Sequence, residues 1–130
     1  MRPTRSNRTG LSQLEALLGK WGYEILPVEV DGCLHLKSAV TQVAEGMLLI
    51  NARRVRPECF GPMEMIVVAP SEPDGANALW LREAVIYPAH YPETTERLDR
   101  AGLRVVSVPS AEITKAEGGV TCCSLVFEVA

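Results

Sequence analysis

The chain has 130 residues, 47% of them hydrophobic, with 13 basic and 16 acidic side chains and a formal net charge of −3. That is enough apolar content for one domain with a real core, and it excludes a disordered chain. The lack of a basic excess argues against a nucleic-acid partner. No apolar run has the length of a membrane span or the form of a secretory leader, so a cytoplasmic protein with no membrane partner is expected.

In chain order, residues 1–10 read as a polar loop, with Asn7 or Thr9 placed to cap a helix. Leu11, Leu14, Leu17 and Leu18 form a helical stripe over 11–20, and Gly22 suits the end of that helix. Residues 23–30 read as a strand and Asp31-Gly32 as a turn. A second extended segment covers 33–43, Glu45-Gly46 is a hairpin turn, and 47–50 is the return strand. A weaker helix is expected over 52–60. Residues 63–69 then form an apolar strand and 70–75 a loop. Residues 78–81 and 84–87 make a short hairpin around Arg82-Glu83. A helix over 92–101 opens on Pro92 and closes before Gly102. Residues 103–108 are a strand, 109–116 a loop with one helical turn, and 121–129 a final strand.

The order repeats. Gly22, Gly61 and Gly102 are separated by 39 and 41 residues, and each precedes an apolar strand. After each strand and loop comes a polar centre: His35, Asn77 and Cys122. The last unit lacks the second strand of its hairpin and the first unit lacks any hairpin, so the chain reads as part of a ring.

The thiols best placed to do chemistry lie near the C-terminus. Cys122 and Cys123 lie between Gly118-Gly119 and an apolar run, where a thiol is held still and stays reachable. On a strand the two would face opposite ways, one to a site and one to the core, and the pattern does not choose between them. His35, expected to begin a strand, is a proton shuttle for such a thiol, although strand histidines are more often plain polar residues. Cys33, His35 and the cysteine pair include soft ligands, but the paired Cys-x-x-Cys spacing of structural zinc sites is absent, so no metal is assigned. Arg5 can grip a carboxylate through its fork, its commoner role being surface charge. His90 reads as an exposed loop residue, and Arg53-Arg54-Val55-Arg56 as a solvated loop or helix start.

Four segments in this order carry a resemblance: Gly32-Cys33-Leu34-His35-Leu36-Lys37-Ser38, Gly75-Ala76-Asn77-Ala78-Leu79, Tyr91-Pro92-Glu93-Thr94, and Glu117 to Leu125. Together they resemble dimethylarginine dimethylaminohydrolase, within the guanidino-group-modifying amidinotransferase superfamily. The resemblance implies an α/β propeller with pseudo-fivefold symmetry, of which residues 1–130 are the C-terminal half, about two and a half blades. It implies hydrolysis of N-methylated arginine to citrulline and an alkylamine, with no cofactor. In that scheme Cys122 is the nucleophile, His35 the general acid and base, Arg5 the grip on the substrate carboxylate, and Ala116 a backbone contact to the amino-acid end. The acids that hold the guanidinium belong to the preceding half. An N-terminal half or self-association is therefore expected to complete the ring. The alternatives are an inactive family fragment that binds through its sheet edges, and arginine deiminase or amidinotransferase chemistry.

Overall fold

The structure is a computed structural model that describes residues 6–129. It is an α/β arrangement built on two three-stranded sheets of the same order. The first contains β1 (Val40–Ala44), β2 (Met47–Ile50) and β3 (Glu64–Val67); the second contains β4 (Leu79–Leu81), β5 (Ala84–Pro88) and β6 (Val105–Val108). In each sheet the first two strands form an antiparallel hairpin and the third runs parallel to the second. A parallel partner requires a crossover. Residues 51–63, with a 3-10 turn at Pro57–Phe60, supply the first, and helix α2 (Pro92–Arg100) the second. Two like units are thus present, with strands after Gly61 and Gly102, but the strand expected after Gly22 does not form. Both sheets are small and open, and among the described residues they do not close into a ring.

The middle strand of the first sheet is buried on both faces, which explains its continuous apolar run. Leu49 joins Val43, Ile66, Val85, Tyr87 and Leu98 in one core, while Leu48 and Ile50 join Val30, Ala39, Val40 and Val55 in a second. The sheets meet where β1 lies beside β4. Buried Thr41 on β1 bonds across this seam: its Oγ1 donates to the Ala76 carbonyl (2.6 Å) and accepts from the Ala78 amide (3.0 Å). Buried Glu72 reaches the start of α2, where its two carboxylate oxygens accept from the amides of Glu93 (2.9 Å) and Thr94 (2.7 Å). These amides are orphan donors that the helix cannot satisfy itself.

Helix α1 (Arg8–Leu18) starts at Asn7, whose Oδ1 accepts from the Gly10 amide at 2.8 Å, and continues as a 3-10 turn to Trp21. It ends on Gly22 at φ +82°, as α2 ends on Gly102 at φ +81°. In both, the next amide donates back to the last helical turn, Tyr23 to Leu18 and Leu103 to Leu98, and only a residue free to take positive φ allows this.

Four expected elements are corrected. Residues 23–30 and 124–129 pair with no described strand, and 120–123 form a turn. Residues 33–39 are not extended throughout; a 3-10 turn at Leu36–Ser38 delays β1 to Val40. Residues 52–56 are not helical. There the Asn51 side chain accepts from the Arg53 amide (3.0 Å), and Pro57 disfavours the helical region at Arg56, which sits at ψ 122°. No helix of the described residues is long and apolar enough to cross a membrane.

Candidate active site

A cleft of about 480 Å³ opens where three loops converge, lined among others by His35, Arg54, Asp74, Asn77, Tyr91 and Cys122. The first loop carries Gly32 to Ser38. His35 has extended backbone (φ −128°, ψ 140°) and caps the 3-10 turn, rather than starting a strand. Cys33 lies beside it, half-buried, its Sγ 3.5 Å from the His35 carbonyl. Burial pushes the Cys33 thiol up, against the smaller opposing pull of the Arg54 guanidinium. Less of the Cys33 thiol is therefore ionised at neutral pH than of an ordinary cysteine.

The second loop precedes β4 and carries Asp74 and Asn77. Asp74 pairs with Arg54 at 2.6 Å, so one arginine of the basic cluster is an ion-pair member inside the cleft and not a solvated charge. Tyr91 closes this side. Its hydroxyl is pushed up chiefly by burial, with the Asp74 charge adding to it. His90 packs against Tyr91 with the rings tilted by 47° and their centroids 4.1 Å apart. Both His90 ring nitrogens are buried without a hydrogen-bond partner, so it is not the exposed loop residue that the flanking prolines suggest.

The third loop follows the short helix α3 (Ala111–Lys115) and runs through Gly118-Gly119 to Cys122. The glycines serve close approach. A Cβ on Gly119 would lie 2.5 Å from Asn77 Oδ1, and one on Gly118 would lie 2.5 Å from Ile113 Cγ2. The left-handed conformation falls instead on Glu117, at φ +60°, in the position where α1 and α2 use glycine. The Gly118 amide donates to Ile113 (2.9 Å) and the Glu117 amide to Thr114 (3.0 Å), closing α3 as the other helices close. A non-glycine residue here costs about 1 kcal/mol, and this strained residue lines the cleft.

His35 and Cys122, 87 residues apart, line the same cleft. Cys122 is exposed and lies on a turn, where the Cys123 amide donates to Gly119 at 3.0 Å. Cys123 does not line the cleft and is exposed, so it is not the core residue that strand alternation predicts. Ala116 caps α3 on the same rim but is not among the lining residues. Arg5 lies outside the described residues. Asp74 is marked by no motif; Cys33 and Tyr91 fall within the motif segments and Arg54 within the basic cluster, but none of the three is singled out there as a cleft residue, because each becomes a site member only when distant loops meet. Asn77 is signalled in the sequence as the polar centre of the middle unit. No group of three or more His, Cys, Asp or Glu among the described residues is placed to hold a metal.

The fold is shared widely. A solved amidinotransferase from Microseira wollei, 22% identical, matches 92% of this chain and 41% of its own with a TM-score of 0.81. At 36% identity, the dimethylarginine dimethylaminohydrolase of Pseudomonas aeruginosa, solved as a cysteine-to-serine variant complexed with citrulline, gives a TM-score of 0.86 over 95% of this chain and 48% of that one. In sequence the chain is 37% identical over 123 residues to the N(G),N(G)-dimethylarginine dimethylaminohydrolase of Pseudomonas aeruginosa, covering 95% of this chain and 48% of that protein. It is 33% identical to the protein of the same description from Streptomyces coelicolor, covering 93% and 46%. The chain spans about half the length of the curated relatives it matches. Fold and likeness together define a member of the amidinotransferase superfamily. A family model described as arginine deiminase matches residues 62–128, just over half of the chain, and the chain belongs to that family.

Proposed function

We propose that this chain carries the nucleophile and the proton shuttle of a cysteine-dependent amidinohydrolase resembling dimethylargininase, acting on N-methylated arginine. The observation that supports this reading most is that His35 and Cys122 line one cleft between glycine-built loops. The Cys122 thiolate bonds to the guanidinium carbon. The C–N bond to the alkylamine breaks, and His35 gives that nitrogen a proton, leaving an S-alkylthiouronium. Water then loses a proton to His35 and adds to the same carbon. The C–S bond breaks, the thiolate is restored, and citrulline leaves after its extra proton passes to solvent. Arg5 grips the substrate carboxylate, and the backbone at Ala116 meets its amino-acid end. No cofactor takes part.

In this reading residues 1–130 are one domain, the C-terminal half of a cytoplasmic α/β propeller. The repeated strand order of the two sheets supports it. An N-terminal half or a second copy of the chain completes the ring.

The test is citrulline formation from N-methylated arginine by the chain mixed with the N-terminal half of the Pseudomonas aeruginosa relative. Activity is expected, with loss in Cys122→Ser. Citrulline production that persists in Cys122→Ser would overturn the assignment. The description of the matching family favours a second reading, arginine deiminase chemistry at the same thiol. Release of ammonia from unmethylated arginine, in preference to alkylamine from the methylated substrate, would select it.

A further inference from the structure

We infer that Asn77 is a positioning residue that fixes the His35 loop against the Cys122 loop and aims the Thr121 hydroxyl at the Cys122 sulfur. This rests on the reading of those two residues as the reacting pair. Asn77 is 8% exposed, yet it reaches the cleft. Its Nδ2 donates to the carbonyl of Lys37 at 3.0 Å, two residues after His35. The same nitrogen donates to Thr121 Oγ1 at 2.8 Å, and Oδ1 accepts from the Thr121 amide at 3.1 Å, directly before Cys122. One neutral side chain thus holds both loops, 40 and 44 residues away in sequence. The partners also fix the amide's orientation. Exchanging its oxygen and nitrogen would set donor against the Thr121 donor and acceptor against the Lys37 carbonyl.

The clamp has a rigid base. Thr41 bonds to the backbone on both sides of Asn77, at Ala76 and Ala78. The Tyr87 hydroxyl donates to the Gly75 carbonyl at 2.6 Å. Gly119 leaves the amide its space, since any Cβ there would overlap it. Once Thr121 Oγ1 accepts from Asn77, its own hydrogen is free to turn to Cys122 Sγ, 4.0 Å away. A hydroxyl donor at that sulfur favours the thiolate over the thiol.

The experiment measures alkylation of Cys122, by peptide mass spectrometry, with the guanidinium mimic 2-chloroacetamidine. Iodoacetamide labelling of Cys59, which is half-buried and does not line the cleft, reports the integrity of the fold. Asn77→Ala and Asn77→Asp are each expected to slow Cys122 labelling about tenfold, the worth of one buried hydrogen bond, with Cys59 unchanged. Asn77→Asp matters because it keeps the size and the acceptor but loses both donations. Thr121→Val is expected to match that loss, and Thr121→Ser to label at the rate of the unaltered protein. Labelling at the unaltered rate in Asn77→Asp or Thr121→Val overturns the inference. If Asn77→Ala exposes Cys59, the Thr121 pair decides. The labelling does not depend on turnover, so citrulline formation that survives Cys122→Ser would sink the catalytic reading and leave this result standing.

Discussion

Two parts of this molecule carry the same kind of apolar sequence and meet different fates. Leu48-Leu49-Ile50 in β2 is buried, with strands on either side. Leu125-Val126-Phe127 is equally apolar, yet Leu125 is 86% exposed and Phe127 70%. Tyr23 and Leu26, in the segment after Gly22, are 65% and 60% exposed. The difference is the partner. A strand is stabilised by neighbours that satisfy its amides and cover its faces, and an apolar run without them stays unpaired. Helix α1 teaches the same lesson, well capped at both ends and with no buried residue.

Core truncation gives the strongest test of this contrast. Leu49→Ala is expected to destabilise the protein by about 3 kcal/mol, whereas Leu125→Ala changes stability by less than about 0.5 kcal/mol. Urea denaturation of both variants measures the gap. Equal losses would mean that residues 124–129 are covered in solution, and the comparison would fail. Hydrogen exchange sharpens the same point: β2 and β5 amides are expected to be protected and those of 23–29 and 124–129 to exchange fast. Protection of the latter on adding the N-terminal half of the relative would identify their partner.

A smaller effect is expected at Glu72. Glu72→Ala removes the acceptor for two amides at the start of α2 and costs about 2 kcal/mol. Because α2 seats Leu98 in the core shared with Leu49, the loss should appear as a lower urea midpoint and as faster exchange in β5 and β6.

The smallest effect is alkaline. Burial raises the Cys33 thiol above its ordinary 9.0 and the Tyr87 and Tyr91 hydroxyls above their ordinary 10.0. As pH rises past 9, the unfolded chain releases these protons before the folded one does, so the folded state binds more protons and stability falls with pH. Urea midpoints at pH 8, 9.5 and 10.5 should decline in that order. Cys33→Ala should flatten the first step and Tyr91→Phe part of the second. A midpoint that rises with pH would contradict the burial of these groups.

The local features of the fold are legible wherever a few adjacent residues decide them. Glu45-Gly46 and Arg82-Glu83 turn the hairpins, and Gly22 and Gly102 end helices at positive φ. Asn7 caps α1, and Pro92 opens α2. The misreadings over 23–30, 33–39 and 121–129 share one cause. Alternation marks a segment that fits a strand but carries no information on whether a partner stands beside it. The helix expected over 52–60 fails for a local reason, the Asn51 side chain competing for the Arg53 amide ahead of Pro57.

The site divides in the same way. His35 and the Cys122-Cys123 pair are visible as candidates from residue type alone, and only the family resemblance prefers Cys122 to Cys123. Nothing in their spacing indicates that Arg54 pairs with Asp74, that Tyr91 closes the cleft, or that Asn77 bonds to both the Lys37 and the Thr121 loops. Residue order alone settles the turns and the caps, since each depends on neighbours along the chain. Tertiary packing selects which apolar runs become strands and which polar residues share the cleft. Those outcomes depend on contacts 20 to 45 residues apart, and a contact of that range forms only when the whole core that supports it is in place.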